Sequence, residues 1–276
     1  MFSEKKNENI QFDSVIHFCG LKSVKESINE SLDYWDTNVL GTINLIKAMK
    51  KYDCFALVFS SSATVYGNPV AIPVKENALV KPINPYGQTK ATVENLLHDL
   101  RKQLPNKFKI AILRYFNPVG AHDSGLIGEE PNGIPNNLFP IVSDVAFGKR
   151  EKLEIFGKDW PTPDGTCIRD YIHIMDLAEG HYYALDFLMN NSPQIITCNL
   201  GTGIGTSVLD LINTFQEVNK INIPYSYTER REGDIPITIA DNSYAKRILK
   251  WFPKKTVIDM CKDEYKWQNY LIKNLR

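Results

Sequence analysis

A tyrosine and a lysine four residues apart are the first candidates for chemistry in this 276-residue chain. Tyr86 and Lys90, in the stretch NPYGQTK, fall just inside a predicted helix, where this spacing puts both side chains on one face. A nearby ammonium favours the phenolate form of tyrosine, so the pair could act as a general acid and base. With 13 tyrosines in the chain, about one such pair is expected by chance, and the spacing alone is weak evidence.

Three consecutive serines follow the second apolar run of the sequence. Ser60, Ser61 and Ser62 stand in the stretch FSSSATVYG, at the end of a predicted strand. Ligands of doubly wound sheets bind in the crevice at the carboxyl ends of the strands. A serine triplet also fits an ordinary loop start, but hydroxyls at a strand end together with a Tyr–Lys face on the next helix indicate a ligand site.

The elements that must position these side chains alternate between strand and helix. Short runs that are apolar on both faces predict buried parallel strands, and longer runs with one apolar stripe predict helices. The strands are predicted at 14–19, 55–59 and 109–116, and the helices at 34–50 and 85–104. This alternation predicts an α/β fold built on a doubly wound, Rossmann-like parallel sheet.

The character of the sequence changes after Asn117. Residues 117–137 are rich in glycine, proline and asparagine and predict a long loop, which usually has a function. Another strand–helix unit is predicted at 195–215, and the chain ends in a charged helical stretch. We therefore predict an incomplete Rossmann-like domain over 1–118 and a smaller α/β domain over 119–276, with part of about 170–201 packing back on the first.

Composition excludes several classes of function. Lys+Arg and Asp+Glu are both 32, and this balance argues against nucleic-acid and membrane partners. We find no apolar run long enough to cross a bilayer, and the first ten residues are polar rather than a signal peptide. The five cysteines form no CxxC pair and the five histidines no ligand-spaced cluster. These features predict reduced thiols, no bound metal and a cytoplasmic protein.

Six stretches of the sequence, taken together, resemble the UDP-glucose 4-epimerases, a group of extended short-chain dehydrogenases/reductases. They are SSSATVYG, NPYGQTK, RYFNPVGAH, GIPNNL, IRDYIHIMDLA and RREGD, in this order. Six linked motifs are far more specific than any one of them alone. The resemblance implies an NAD-dependent enzyme that interconverts UDP-glucose and UDP-galactose through a 4-keto intermediate, with NAD on the first domain and the UDP-sugar on the second.

The resemblance also implies roles for individual residues. Tyr86 would take the proton of the sugar O4, and Ser62 would hydrogen-bond O4. Lys90 would hold the cofactor ribose and, together with the nicotinamide charge, lower the pKa of Tyr86. The implied NAD-binding residues are Phe18, Cys19, Gly20, Leu21, Lys22, Asn38, Ser60, Tyr86, Lys90 and Phe116. The implied UDP-sugar-binding residues are Asn117, Asn137, Ile155, Phe156, Arg169, Arg231, Asp234 and Thr238. Arginine forks suit a diphosphate, although the stretch ERREGD alone also fits a solvated charged loop.

Three further expectations follow from the resemblance. A homodimer would form through the helices predicted at 34–50 and 85–104. Thr238 is small at the position that gates the sugar pocket, which predicts that UDP-N-acetylhexosamines are accepted too. A sugar 4,6-dehydratase is disfavoured, because that reaction needs an extra acid/base pair beside the strand-end hydroxyl and Ala63 and Thr64 supply no carboxylate.

The stretch FDSVIHFCG, residues 12–20, raises a question about the cofactor. A dinucleotide normally grips a glycine-rich turn after the first strand, and no such fingerprint precedes Phe12. The stretch GTGIG at 201–205 fits a packing turn better than a pyrophosphate cradle. Residues 12–20 therefore match the fourth strand of the family fold, and about 60 residues, or two βαβ units, are predicted to be absent.

Such an absence would leave an open sheet edge and weak NAD binding by this polypeptide alone. Three alternatives then compete. The chain is a working epimerase whose front is missing from the gene model, a UDP-sugar-binding homologue impaired in catalysis, or a decayed and poorly folded remnant. The undamaged motifs favour the first.

Overall fold

A parallel sheet lies at the centre of the computed structural model, which describes residues 11–131, 135, 137–231 and 233–274. The strands are β1 (Ser14–His17), β2 (Ala56–Ser62), β3 (Lys109–Tyr115), β4 (Asn117–Val119), β5 (Leu153–Phe156), β6 (Ile168–Arg169), β7 (Tyr171–His173), β8 (Ile195–Leu200), β9 (Thr206–Ser207), β10 (Tyr225–Thr228) and β11 (Ile237–Thr238). The central sheet has the order β1–β2–β3–β8, with all neighbours parallel. The predicted α/β class with a parallel sheet is confirmed.

The helices follow the strands in the alternation that the sequence predicts. They are α1 (Val24–Asn29), α2 (Ser31–Tyr34), α3 (Gly41–Lys51), α4 (Pro85–Gln103), α5 (Leu138–Ala146), α6 (Ile174–Asn190), α7 (Val208–Asn219), α8 (Ser243–Leu249) and α9 (Val257–Asn274), with a π-helix at Trp35–Leu40 and a 3₁₀-helix at Ala63–Tyr66. Within the described residues, no helix is long and apolar enough to cross a membrane.

Helices cover both faces of the central sheet. Leu57 and Phe59 of β2 pack in one apolar cluster with residues of α4. Val58, between them, packs in another cluster with residues of α6. Successive side chains of a strand point to opposite faces, so both faces of β2 are buried. This explains why the strand shows an unbroken apolar run rather than alternation.

The prediction of one continuous helix over 34–50 is wrong in its middle. The π-helix Trp35–Leu40 separates α2 from α3. The Thr42 hydroxyl donates to the Asn38 carbonyl at 2.6 Å, and the Asn38 side chain is drawn to Leu21. Single π-helical turns inside helices are frequent at functional sites. Here the wider turn brings Asn38 to the loop after β1.

A second apolar core lies under the C-terminal elements. Phe139 of α5, Leu153 of β5, Phe215 of α7 and Met260 of α9 meet in this cluster. The long loop predicted from Asn117 begins instead as the short strand β4, which pairs with β7. In contrast, β8 and α6 pack on the central sheet. Within the described residues, β1 is the other edge of that sheet.

Candidate active site

Helix α4 presents Tyr86 and Lys90 to the carboxyl end of β2. The side chain of Asn84 caps the first turn of the helix, and both residues are 5% exposed. The Lys90 ammonium donates to the Ser60 carbonyl at 2.8 Å and lies 5.9 Å from the centroid of the Tyr86 ring. The pair that the sequence singles out therefore meets the serine row at the end of the strand.

The Ser62 hydroxyl is near enough to the phenol of Tyr86 to lower its pKa through a side-chain hydrogen bond. The Thr64 amide and hydroxyl lie 3.2 and 3.0 Å from the Ser62 oxygen, and the amide can only donate. With its oxygen accepting from Thr64, Ser62 can direct its own proton to Tyr86. Such a bond stabilises the phenolate form. The arrangement thus suits proton exchange at a hydroxyl held between Tyr86 and Ser62.

Burial opposes the charged forms of both helix residues. It raises the pKa of Tyr86, and the Ser62 hydrogen bond opposes the shift only in part. Burial also lowers the pKa of Lys90 to about 8, against the negative charge of Glu94, which raises it. Desolvation is the largest cause of the shift in the Tyr86 pKa of the chain by itself. The lowering of this pKa by Lys90 together with the nicotinamide charge stays a prediction.

Asn38 holds the loop after β1 against the helices. Its side chain accepts from the Leu21 amide at 2.8 Å, donates to the Leu21 carbonyl at 3.0 Å and reaches Thr89 at 3.1 Å. A Cβ on Gly20 would lie 2.8 Å from the Asn38 oxygen and 3.8 Å from the Lys90 nitrogen. Glycine at this position therefore leaves the backbone bare beside the Lys90 ammonium.

The residues implied for the nicotinamide side differ in exposure. Phe18 is 57% exposed and Cys19 is also exposed, whereas Ser60 is fully buried. The Ser60 hydroxyl lies 2.9 Å from His181 Nε2, and His181 Nδ1 lies 2.9 Å from the Leu177 carbonyl. Burial lowers the pKa of His181, so the ring is neutral with its proton on Nδ1, and Nε2 accepts from Ser60.

Two other residues implied for NAD lie further apart. Lys22 is bound to Glu129 at 2.6 Å and its side chain is 71% exposed. Phe116 is buried in a small apolar cluster with Tyr66 and Val74. Lys22 therefore joins the loop after β1 to the segment that follows β4, and the Phe116 ring belongs to the core.

A second polar cluster gathers four of the residues implied for the UDP-sugar. Arg231 donates to both oxygens of Asp234, at 3.2 and 2.9 Å, and its guanidinium lies 5.3 Å from the centroid of the Phe156 ring. Arg169 lies 3.9 Å from the same carboxylate and donates to the Ile235 carbonyl at 2.8 Å. The side chain of Arg231 is 51% exposed and that of Arg169 is 17% exposed. Two guanidiniums in this position suit an anion.

Backbone pairing joins this cluster to the strand ends. Thr238 of β11 is the register partner of Arg169 in β6. The Asn117 amide donates to the carbonyl of Asp170, the next residue, at 3.0 Å. Asn117 and Thr238 thus lie beside Arg169, and Asn117 follows directly on β3 and Phe116.

The remaining predicted residues fall outside the cluster or outside the described part of the chain. Ile155 is 2% exposed and packs in the core of the C-terminal elements, so its side chain does not join Phe156. Asn137 is exposed and precedes α5. Gly133, Ile134 and Asn136 of GIPNNL and Glu232 of RREGD lie outside the described residues.

A buried ion pair behind the serine row was missed from the sequence. Arg114 Nη2 lies 2.5 Å from Glu94 Oε2, with both side chains under 10% exposed. The only available signal was that Glu94 continues the spacing of Tyr86 and Lys90 by four more residues. Among the described residues, no group of three or more His, Cys, Asp or Glu side chains is suited to a metal ion.

Comparison with known proteins agrees with this geometry. Residues 5–264 match the family model described as GDP-mannose 4,6 dehydratase. The UDP-glucose 4-epimerase of Bacillus subtilis (strain 168) is 50% identical over 259 residues, which make up 94% of this chain and 76% of that protein. The chain belongs to the UDP-glucose 4-epimerase family.

Solved structures of this family share the fold. The UDP-glucose-4-epimerase of Stenotrophomonas maltophila, with bound NAD and formylated UDP-arabinopyranose, is 47% identical, with a TM-score of 0.94 over 99% of this chain and 80% of that one. The UDP-Glc/GlcNAc 4-epimerase of Campylobacter jejuni is 36% identical, with a TM-score of 0.82 over 97% of this chain and 81% of that one.

The epimerase relatives disfavour the alternative of a UDP-sugar-binding homologue impaired in catalysis. The chain spans about three quarters of the Bacillus subtilis relative, from the 76% coverage. The lack of a glycine-rich cofactor segment stays a prediction.

The first testable consequence concerns His17, which lies in the same buried region. Its Nε2 is 2.9 Å from the Thr42 hydroxyl, and burial together with the positive charge of Lys90 lowers its pKa from 6.5 to about 4. The unfolded chain binds this proton below 6.5 and the folded chain only near 4, so the free energy of unfolding must fall as the pH falls through this window.

We expect His17→Gln to flatten this dependence in urea-denaturation series run from pH 7 to pH 4. The exposed residue His98 supplies the control, and His98→Gln leaves the slope as it is. Identical slopes for His17→Gln and the parent chain would show that His17 does not resist protonation in the folded state.

Proposed function

We propose that the chain is an NAD-dependent UDP-glucose 4-epimerase, which interconverts UDP-glucose and UDP-galactose through a 4-keto intermediate. The observation that carries the proposal is the contact of Tyr86 with Ser62 and of Lys90 with the Ser60 carbonyl at the end of β2. This pair of contacts unites an acid/base phenol with an ammonium at the ligand-binding edge of the sheet. The named activity of the Bacillus subtilis relative supports it.

The residues around Gly20 fit the nicotinamide half of NAD. Any Cβ at position 20 would occupy the space next to the Gly20 backbone, which glycine leaves open. The exposed ring of Phe18, two residues earlier, offers an apolar surface. The Lys90 ammonium has three protons and gives one to Ser60, so it can also donate to a ribose diol. NAD held by these residues would supply the acceptor, and then the donor, of the hydride at C4 of the sugar.

Tyr86 is the proposed acid and base at the sugar O4. In the chain by itself burial keeps the phenol protonated. A positively charged ligand beside Tyr86 favours the phenolate, as does the hydrogen bond from Ser62. Ser62 can also donate to O4, which places the sugar hydroxyl between two residues that exchange protons with it.

The cluster at Arg169, Arg231 and Asp234 is proposed to bind the nucleotide. Arginine forks match the oxygens of a diphosphate, and a carboxylate accepts from the hydroxyls of a ribose. The Phe156 ring, stacked near Arg231, is 37% exposed and offers a flat surface to a base. We propose that Asn117, Asn137 and Thr238 border the sugar between this cluster and Tyr86.

Two broader predictions remain proposals of this kind. We propose a cytoplasmic enzyme, which the balance of 32 basic and 32 acidic residues and the five free cysteines support. We also propose that the chain divides near residues 118 and 119 into an NAD-binding and a UDP-sugar-binding unit. The separate apolar cores of the central sheet and of the C-terminal elements support this division.

A homodimer through α3 and α4 is proposed because these helices leave an apolar groove between them. The groove is lined by the side chains of Ile43, Ile46, Lys47, Lys50, Leu96 and Leu100. Nearby, Leu40 is 46% exposed and Trp35 is 37% exposed. Apolar side chains at this density on one surface are typical of an interface.

Replacing Tyr86 tests the reaction directly. We expect Tyr86→Phe to lower kcat by a factor on the order of 10²–10⁴, because the substitution removes the acid/base group. Affinity for UDP stays at the parental value, because the phenol does not belong to the nucleotide cluster. The measurement is a coupled assay for UDP-glucose formed from UDP-galactose with NAD added, together with UDP titration calorimetry.

The exposed residue Tyr182, with 64% of its surface accessible, supplies the matched control. Tyr182→Phe retains both parental values. Equal losses of turnover and UDP affinity in Tyr86→Phe would refute the assigned role, and a parent chain without turnover at saturating NAD would refute the function.

Thr238 is expected to set the breadth of substrate. Its half-buried side chain leaves more room than an aromatic ring at the same position. The parent chain should therefore convert UDP-GlcNAc as well as UDP-glucose, and Thr238→Tyr should lose the former and keep the latter. Failure of the parent chain to convert UDP-GlcNAc while it converts UDP-glucose would contradict this.

The homodimer is tested by sedimentation equilibrium. We expect the mass of two chains at micromolar concentration, and Ile43→Glu, which places a charge in the apolar groove, should yield single chains. A parent chain that sediments as a monomer would overturn the assignment.

A further inference from the structure

A row of polar residues crosses the central sheet on the face that α4 covers. Ser61 of β2 is the register partner of Arg114 in β3, and Arg114 is the partner of Asn199 in β8. All three are 5% exposed or less. The residues before them in the strands are mostly apolar, so this row marks the point where the core ends and the ligand-binding edge begins.

The carboxylate of Glu94 in α4 lies against this row and accepts hydrogen bonds from Ser61 and Arg114. The Ser61 hydroxyl donates to Glu94 Oε1 at 2.5 Å. Arg114 Nε lies 3.0 and 3.2 Å from the two carboxylate oxygens, and its Nη2 lies 2.5 Å from Oε2. The remaining terminal nitrogen of Arg114 donates to the Tyr66 hydroxyl at 3.0 Å, and Tyr66 donates to Asn199 at 2.6 Å. The carboxylate is therefore paired and bonded on both oxygens.

The position of Glu94 relates it to the reacting groups in two ways. Tyr86, Lys90 and Glu94 follow one another at intervals of four residues and share one face of α4. Ser61 stands between Ser60, whose carbonyl binds Lys90, and Ser62, whose hydroxyl binds Tyr86. The bond between Ser61 and Glu94 thus fixes β2 against α4 at the residue between the two functional contacts.

Among the residues that the structure describes, few charged groups surround the Lys90 ammonium. On its own helix it faces Tyr86 and Glu94, from β1 it faces His17, and from β2 it faces only the Ser60 carbonyl and the Phe59 ring. Arg114 approaches from β3 through Glu94, and Tyr115 of β3 approaches through Tyr86. Glu94 is the one carboxyl group among these residues. Burial lowers the pKa of His17 to about 4 and raises the pKa of both tyrosines, so these three side chains are uncharged at neutral pH.

We propose that Glu94 is a positioning residue, which holds Ser60 and Ser62 in register with Lys90 and Tyr86 and places a carboxylate one helical turn from the buried Lys90 ammonium. Arg114 is its counter-ion and holds the carboxylate in place through hydrogen bonds to both of its oxygens. The proposal rests on the proposed epimerase function only for its effect on turnover. Its effect on Lys90 is a property of the folded chain.

The direct test measures the protonation of Lys90 without any catalysis. The full chain is labelled with ¹³C at the lysine ε-carbon and titrated by NMR, and Lys90→Met identifies the signal. We expect a midpoint near 8 in the parent chain. In Glu94→Gln, which keeps the shape and removes the charge, the midpoint moves down by about one pH unit.

The matched control is Glu264→Gln. Glu264 is a buried glutamate of α9 that is bonded to Ser143 and 3% exposed, and its neutralisation leaves the Lys90 midpoint unchanged. If the Glu94→Gln chain does not fold because Arg114 is left unpaired, the double variant Glu94→Gln/Arg114→Met is titrated against Arg114→Met, so that the two chains compared differ only in the charge of residue 94. An unchanged Lys90 midpoint in the folded variant overturns the proposal.

Turnover provides the second measurement. We expect Glu94→Gln to lower kcat about tenfold with KM for UDP-glucose unchanged, and to move the alkaline limb of the kcat profile to lower pH. A merely structural role would leave that limb in place, and this outcome overturns the proposal. A parent chain that shows no turnover but whose Lys90 midpoint responds to Glu94→Gln supports the positioning role and refutes the function.

Discussion

The hydrogen bond from the Lys90 ammonium to the Ser60 carbonyl constrains the rest of the structure. The ammonium is buried, and a buried charge without a partner is costly, so helix α4 and strand β2 must keep this register. The same register brings Tyr86 to Ser62 and Glu94 to Ser61. Apolar packing of Leu57 and Phe59 against α4 stabilises this register and offsets the cost of burying the ammonium.

Burial is the largest cause of the pKa shifts at Tyr86 and Lys90. Burial raises the pKa of Tyr86 and lowers that of Lys90 to about 8, so each group resists its charged form. In the chain by itself the Tyr86 phenol is therefore uncharged, and the neighbouring Lys90 ammonium loses its proton at a lower pH than an exposed lysine does. A cationic ring bound next to them shifts the phenol toward its ionised form. The acid/base role proposed for Tyr86 therefore depends on a bound cationic ligand as well as on the side chains of the chain.

The sequence predicted most of the sheet and helices but only part of the site. Apolar periodicity located β2, β3 and α4 to within a few residues, because burial on both faces leaves a local signal. The π-helix at Trp35–Leu40 left none, since it depends on the contact of Asn38 with Leu21, 17 residues away. The ion pair between Glu94 and Arg114 depends on strand register and was equally hidden. Burial raises the pKa of Tyr86 in the chain by itself, and this desolvation is a property of the folded interior that leaves no local signal in the sequence.

The alternation of side chains along β2 has one more consequence. Ser60 turns to His181 of α6, whereas Ser61 turns to Glu94 of α4. Two identical side chains therefore make different contacts because successive residues of a strand point to opposite faces of the sheet. A residue inserted or deleted earlier in β2 would move each serine to the opposite face of the sheet, although the three serines would still be consecutive in the sequence. The role of each serine therefore depends on its register relative to the core residues of β2, and matching the three serines in a sequence comparison does not test that register.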